Sequence, residues 1–210
     1  MNLLGSRLPV AFYCGVLYGV LQVVMRAAGD SGLIHRLQSR DPKALSELYD
    51  RYGRLVYSLI LRIVRNPSLA EDLVQETFLR IWNRAGSFDA ERGVIGSWVL
   101  TVARNRAIDH LRSTDGRMQS GAVDLEKLEN LARFATFDVD ALALDRQKRL
   151  KTAFQKLTPN QRQVIDLAYF EGLSQTEMSE RLKQPLGTVK TWTRSALKVL
   201  RDELAGVATA

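Results

Sequence analysis

The chain predicts an all-α fold in two small helical domains joined by a flexible linker, and three observations predict it. Apolar residues recur at three- and four-residue steps from residue 42 to 112 and again from 146 to 204, with no alternating strand-like run. Helix starts carry a capping side chain followed by proline, as in Asp41-Pro42 and Thr158-Pro159. Between the two periodic stretches, Gly116, Ser120 and Gly121 precede an acidic run of Asp124, Glu126, Glu129, Asp138 and Asp140, which reads as a tether.

The first segment, 1–25, is the anomaly. Between Leu8 and Met25 only Gln22 is strongly polar, with Arg7 and Arg26 outside. A membrane span takes about 20 apolar residues, so the run is borderline, and Pro9, Gly15 and Gly19 loosen it. Three readings stand: a start assigned too far upstream, with Met25 opening an ordinary polar beginning; a membrane-contacting or partner-binding helix at 8–25; or a signal peptide, for which Val23 to Arg26 make a poor cleavage site. The first is preferred.

From Pro42 the apolar stripe runs through Leu45, Leu48, Tyr49, Tyr52, Leu55, Val56, Leu59, Ile60 and Ile63 of one long helix, which Asn66-Pro67 stops. Ser68 and Glu71 have capping-box spacing for the next helix. That helix is expected to bury Leu73, Val74, Phe78, Ile81 and Trp82, leaving Asp72, Gln75, Glu76 and Leu79 outside, which in isolation reads as a solvated face. Phe88 to Gly96 reads as a loop. A helix from Ser97 to about Arg112 follows, with Trp98, Val102, Ile108 and Leu111 inward and Arg104, Asn105, Asp109 and Arg112 outward. Arginines outnumber acids around it, which suits a nucleic-acid backbone, although Trp98 on the apolar stripe also reads as plain core.

Beyond the tether, Arg146 to Leu157 forms a first helix. Thr158-Pro159 with Gln161 opens a second, which Gly172 ends. Ser174 and Glu177 box a short helix, Gln175 to Leu182. Lys183-Gln184-Pro185 make a turn, and a last helix runs from about Leu186 to Leu204. Two helices on so short a turn are a helix-turn-helix. The last helix turns Val189, Thr193, Ala196, Leu197 and Leu200 inward. Lys190, Thr191, Arg194 and Lys198 share an exposed side with no acid before Asp202. Such a side meets phosphates with its cations and base edges with Thr191 and Arg194.

The composition fits a binding role. Lys plus Arg number 30 against 23 Asp plus Glu, a net charge of +7 that suits a polyanionic partner. The lone Cys14 excludes an internal disulfide and a cysteine-based metal site, and His35 and His110 lack metal-ligand spacing. There is no phosphate-binding glycine loop, nucleophile elbow or paired-carboxylate pattern. No catalytic residue, metal or cofactor is expected, and the chain does not read as an enzyme.

Two motifs carry a resemblance. Asp72-Leu73-Val74-Gln75-Glu76-Thr77-Phe78-Leu79-Arg80-Ile81-Trp82, then Trp98 through Arg112, are similar to region two of the bacterial sigma factors. Leu157-Thr158-Pro159 through Gly172-Leu173-Ser174, and Pro185-Leu186-Gly187-Thr188-Val189-Lys190, are similar to region four. With those two regions alone, the chain resembles the extracytoplasmic-function group of the sigma-70 family of RNA polymerase sigma factors. The resemblance divides the chain into the 1–25 segment, region two at 33–113, a linker at 114–144 and region four with the helix-turn-helix at 145–204.

The same resemblance assigns roles. Asp72, Gln75, Glu76 and Leu79 would dock on the clamp helices of the polymerase's largest subunit, overturning the solvated-face reading. Trp98, Arg104, Asn105, Asp109 and Arg112 would capture the opened −10 strand. Thr188, Lys190, Thr191, Arg194 and Lys198 would read the −35 duplex in the major groove. Core RNA polymerase and promoter DNA are the implied partners, with an anti-sigma factor as an optional further one, and the implied location is cytoplasmic. Trp192 departs from the pattern, since many relatives carry a basic residue there; it packs either on DNA or on a neighbouring helix. Two other readings compete: a stand-alone helix-turn-helix regulator that needs no polymerase, and a membrane-tethered sensor using the N-terminal segment.

Overall fold

A computed structural model describes residues 31–89, 95–113 and 152–205 of the chain. The 1–25 segment, the 114–144 linker, the start of the helix expected from Arg146 and the middle of the Phe88–Gly96 loop lie outside the described residues. Within them the secondary structure is helical, and no strand occurs.

Four helices build the first unit: α1 (Ser31–Gln38), α2 (Pro42–Val64), α3 (Pro67–Arg84) and α4 (Ile95–Arg112), with a 3-10 turn at Ala85–Ser87 after α3. Helix α1 is short and has no acidic residue in its first turn. Helix α2 begins as its cap predicts: the Asp41 carboxylate accepts from the Lys43 backbone N–H at 2.9 Å, with Pro42 at the first helical position. It ends on Arg65, whose φ of 55° turns the chain left-handed.

The cap of α3 differs from the expected Ser68–Glu71 box. Asn66 is the cap, its side-chain oxygen accepting from Leu69 N–H at 3.2 Å, and Pro67 takes the first helical position. The same cap-plus-proline device that opens α2 therefore outcompetes the box two residues on, because proline's fixed φ is already helical at Pro67.

Helix α2 is the centre of this unit and packs on α1, α3 and α4. Leu48, Val56, Leu59, Ile60, Leu61, Leu73 and Ile81 are almost wholly removed from water in one continuous core, each such side chain contributing about 1.5–3 kcal/mol of burial. Thr77 is buried too, and donates its hydroxyl to the Leu73 carbonyl at 2.7 Å, so the core takes no unpaired polar group there.

Five members of the expected stripes sit elsewhere. Tyr49 is 50% exposed, leaning its ring on Phe78 at 4.9 Å between centroids rather than entering the core. Trp82 is only half-buried. In α4 the buried side is Ile95, Val99, Leu100, Ala103, Ala107 and Ile108, so Trp98, Val102 and Leu111 flank the core rather than fill it. Small residues on the buried side, the two alanines among them, let α4 approach α2 and α3 closely, and the larger side chains are pushed to its margins.

The second unit comprises helical residues 152–156, α5 (Pro159–Tyr169), α6 (Gln175–Leu182) and α7 (Leu186–Ala205). Its capping is as the sequence predicts. Thr158 and Gln161 form a reciprocal capping box on α5, and Ser174 and Glu177 form one on α6. The Ser174 backbone N–H donates to the Glu177 carboxylate at 2.6 Å and holds it below its ordinary pKa. Removing the α5 cap by Thr158→Ala is expected to lower the free energy of unfolding by about 1 kcal/mol. A shift of the urea midpoint at unchanged slope checks this, and an unchanged midpoint would contradict it.

Two small cores hold the unit together. Phe154, Leu157 and Ala196 form one, and Val164, Leu167, Met178 and Val189 the other. Leu197, expected inward, is 49% exposed on α7.

Candidate nucleic-acid interface

The turn between α6 and α7 is closed by hydrogen bonds from both sides. Lys183 turns left-handed at φ 52°, the Gln184 N–H donates to the Ser179 carbonyl at 3.1 Å, and the Ser179 hydroxyl donates back to the Gln184 carbonyl at 2.6 Å. These bonds fix the direction in which α7 leaves. Val189 is fully buried against α5 and α6, and Trp192 packs on the same core. Of the two environments open to Trp192, the neighbouring helices hold it.

With its inward side fixed, α7 presents the opposite one. Lys190, Thr191, Arg194 and Lys198 are all exposed and fall within about a third of the helix circumference, while Thr188 is half-buried on the flank of that stripe. Among the described residues, none forms an ion pair with Lys190, Arg194 or Lys198. Thr191 donates its hydroxyl to the Gly187 carbonyl at 2.9 Å, so what it offers outward is an acceptor oxygen and a methyl group. Leu197 lies beside this stripe. A cation row with a threonine in its midst can meet phosphates and a base edge together.

On α4 the five expected strand-capture residues divide. Trp98, Asn105 and Asp109 recur at helical spacing on one side, with Arg112 at its edge. Trp98 is half-buried, its ring 5.1 Å from that of Phe88, so one face of the indole is supported by protein. Asn105, Asp109 and Arg112 are exposed. Arg104 points elsewhere. With Ile108 and Arg112 it makes a second stripe at four-residue spacing, and that stripe faces the second unit.

The Arg104 guanidinium donates to the Tyr169 carbonyl at 2.8 Å and the Ala168 carbonyl at 2.5 Å, both at the C-terminal end of α5, and lies 5.1 Å from the Tyr169 ring. Arg112 donates to the Gly172 carbonyl and lies 3.7 Å from Glu177. Gly172 has a φ of +67°, and a Cβ there would come within 2.5 Å of Ile108, so both its backbone conformation and its contact with α4 require glycine.

From α2, Arg62 is only 8% exposed, reaches Asp166 at 3.8 Å and sits 4.1 Å over the Phe170 ring. Phe170 itself, 6% exposed, belongs to the core of the first unit. Burial pushes the Tyr169 hydroxyl's pKa up, with Arg104 opposing. Arg62, Asp166 and Phe170 carry no signal in the sequence, because each pairs with a residue about a hundred positions away and neither periodicity nor spacing reports such a pairing.

The expected docking side of α3 is exposed at all four positions, Asp72, Gln75, Glu76 and Leu79. Leu79 is 58% exposed, an apolar side chain among acids and an amide. Next to it a groove of about 730 Å³ runs between α2 and α3, lined among others by Tyr49, Gly53, Tyr57, Glu71, Val74 and Gln75. Glu76 is already engaged: Arg106 of α4 donates to it at 2.5 Å and holds its carboxyl below the usual range. Helices α3 and α4 are thus joined by an ion pair. Among the described residues, no three His, Cys, Asp or Glu side chains gather as a metal site, and no helix is long and apolar enough to cross a membrane.

Comparison with known proteins gives two family matches in chain order. Residues 48–117 match Sigma-70 region 2 and residues 153–202 match Sigma-70, region 4. A relative in Mycobacterium bovis (strain BCG / Pasteur 1173P2), the ECF RNA polymerase sigma factor SigK, is 34% identical over 174 residues, covering 81% of this chain and 90% of that one. Its namesake in Mycobacterium sp. (strain KMS) is 33% identical over 175 residues, covering 81% and 88%. Among solved structures, Rhodobacter sphaeroides SigE in complex with the anti-sigma ChrR is 28% identical, covering 84% of this chain and 98% of that one, at a TM-score of 0.44.

Proposed function

Because this chain belongs to the extracytoplasmic-function RNA polymerase sigma factors of the sigma-70 family, and so directs core RNA polymerase to promoters and starts transcription there, we propose the following division of labour among its helices. Residues 33–113 form the polymerase-docking and strand-capturing region, 145–204 the duplex-reading region, and 114–144 the linker between them. Helix α3 docks on the polymerase through Asp72, Gln75, Glu76 and Leu79. Leu79 supplies buried apolar area at the contact and the acids supply charge to a basic partner surface.

Helix α4 holds the opened −10 strand through Trp98, Asn105, Asp109 and Arg112, with Arg104 joining them. Trp98, backed by Phe88, offers a face on which a flipped base can stack. Helix α7 reads the −35 duplex: Lys190 and Lys198 meet phosphates, and Thr191 and Arg194 reach base edges, with Thr188 at the flank. The bond-making belongs to the polymerase, so the chain needs no active site of its own, and it works where the polymerase is, in the cytoplasm. An anti-sigma partner stays an expectation of family membership.

The observation that carries this division is the exposed cation-and-threonine stripe of α7 on the same chain as the exposed acid-and-leucine side of α3. A duplex reader alone explains the first and leaves the second without a partner. In vitro transcription with core polymerase, with and without the protein, tests it. Transcripts and promoter opening are expected only when both are present, and Asp72→Lys with Leu79→Ala is expected to abolish them while leaving duplex binding intact. Tight, specific duplex binding at a palindrome by the chain alone, with no polymerase-dependent transcription, would support the stand-alone regulator instead.

A further inference from the structure

We propose that Gln38 and Arg40, at the end of α1, are positioning residues for strand capture: they pin the 3-10 turn after α3 and so fix Phe88 behind the Trp98 ring. The inference rests on the strand-capture reading of α4 above and adds to it two residues that touch no DNA.

Phe88 is anchored at both of its backbone polar groups. Its N–H donates to the Ala85 carbonyl at 3.2 Å, closing the Ala85–Ser87 turn. The Gln38 side-chain amide donates to the Ala85 carbonyl at 3.3 Å and to the Phe88 carbonyl at 3.0 Å, from 47 and 50 residues away along the chain. One bond holds Phe88 from within the turn and the other from a different helix. A ring placed this way meets Trp98 in one orientation, 5.1 Å between centroids and 44° between planes.

Arg40 holds the same junction from the other side, and its backbone is strained in doing so. Helix α1 ends with the Asp41 N–H on the Arg36 carbonyl at 3.0 Å and the Arg40 N–H on the Leu37 carbonyl at 3.1 Å, the Schellman ending. The left-handed position of that ending favours glycine, yet Arg40 occupies it with a φ of 62°. Its side chain is engaged. The guanidinium donates to the Trp82 carbonyl at 2.7 Å and lies 5.3 Å from the centroid of the Trp82 ring. Trp82 stands in the last turn of α3, where carbonyls lack partners within the helix and a cation meets the negative end of the dipole. Arg40 therefore caps α3 just before the turn that Gln38 holds. Asp72, Gln75, Glu76 and Leu79 lie nearer the start of α3, so loosening this junction separates strand capture from docking.

Two full-chain variants in holoenzyme with core polymerase test this. Gln38→Met keeps the side chain's length and removes its donor; Arg40→Gly removes the guanidinium and relieves the backbone. At a promoter that the wild type opens, permanganate reactivity of unpaired thymines is expected to fall about fivefold for each, the effect of one lost hydrogen bond. Affinity for core polymerase and for duplex DNA should stay unchanged. Gln38→Lys, whose ammonium group can donate to both carbonyls, is expected to restore most of the reactivity. For Arg40→Gly, backbone relief offsets the lost contact and keeps the urea midpoint of the free chain in place; if the midpoint falls, Gln38→Met with its lysine rescue decides alone. Amide hydrogen exchange of the free chain gives a second readout. The Phe88 amide should exchange about fivefold faster in Gln38→Met while the α2 amides do not change. Unchanged exchange at Phe88, or faster exchange with promoter opening at the wild-type level, would overturn the proposal. If the wild-type holoenzyme opens no promoter while exchange still quickens, the anchor stands and the strand-capture reading of α4 falls.

Discussion

Leu59→Ala is expected to destabilise the first unit by about 2–5 kcal/mol, the range for emptying a leucine site in a packed core. Leu59 has no exposed surface and sits on α2, the helix against which α1, α3 and α4 all pack. The core it shares is continuous from Leu33 to Ile108, so neighbouring side chains cannot collapse into the gap without moving a helix. Against a typical total of about 5–15 kcal/mol, such a loss leaves a substantial unfolded population on modest warming.

The functional consequence is selective. The proposed docking side of α3 and the proposed strand-capture side of α4 are positioned by this one core, so both should fail together. Helix α7 rests on separate cores around Phe154 and Val164, and its hold on duplex DNA should survive. Urea unfolding and polymerase-dependent transcription over a temperature series check the pair of expectations. Leu79→Ala is the control: exposed, it should change stability by no more than about 0.5 kcal/mol yet weaken polymerase binding. Should Leu59→Ala unfold at the wild-type midpoint, the single-core account of the first unit is wrong.

What the sequence makes legible follows from the range of the forces involved. Caps are local, and Asp41, Thr158 and Ser174 all act where their spacing places them. The α2 boundaries follow from such signals to within a residue, and those of α7 from the turn before it and its apolar period. Asn66 reads in sequence only as a stop, because it ends one helix and begins the next within three residues, and a one-dimensional pattern gives it one role.

Periodicity identifies stripes but not which edge of a stripe is covered. Tyr49, Trp98 and Leu197 are apolar, correctly spaced and largely or partly exposed, since what covers a helix margin depends on a neighbour's size and crossing. The exposed stripe on α7 is legible because it rests on charge as well as spacing. The pairing of α4 with α5 is not, as it joins Arg104 to Tyr169 across 65 residues of chain through backbone carbonyls that every residue possesses.

Arg194→Ala is expected to cost about 1–3 kcal/mol of −35 binding and to relax base preference at one or two positions there. Arg194 lies mid-stripe, with Thr191 at the preceding turn and Lys198 at the next, where a helix laid in the major groove comes nearest the base edges. Its planar fork can donate two parallel hydrogen bonds to one guanine, which an ammonium group cannot reproduce, so Arg194→Lys should recover phosphate attraction and little specificity.

Lys190→Ala gives the contrast. Without its ammonium group on a phosphate, all sequences should bind more weakly by about the same factor, and the salt dependence of binding should fall by about one ion. Two titrations against a library of duplexes, at low and moderate salt, separate the outcomes. Equal loss across sequences for Arg194→Ala would show that it too serves phosphate, and base recognition would then pass to Thr191 and its flank. Trp192 is not placed for that part, because it is half-buried and packs against the core around Val189, on the side of α7 that faces α5 and α6.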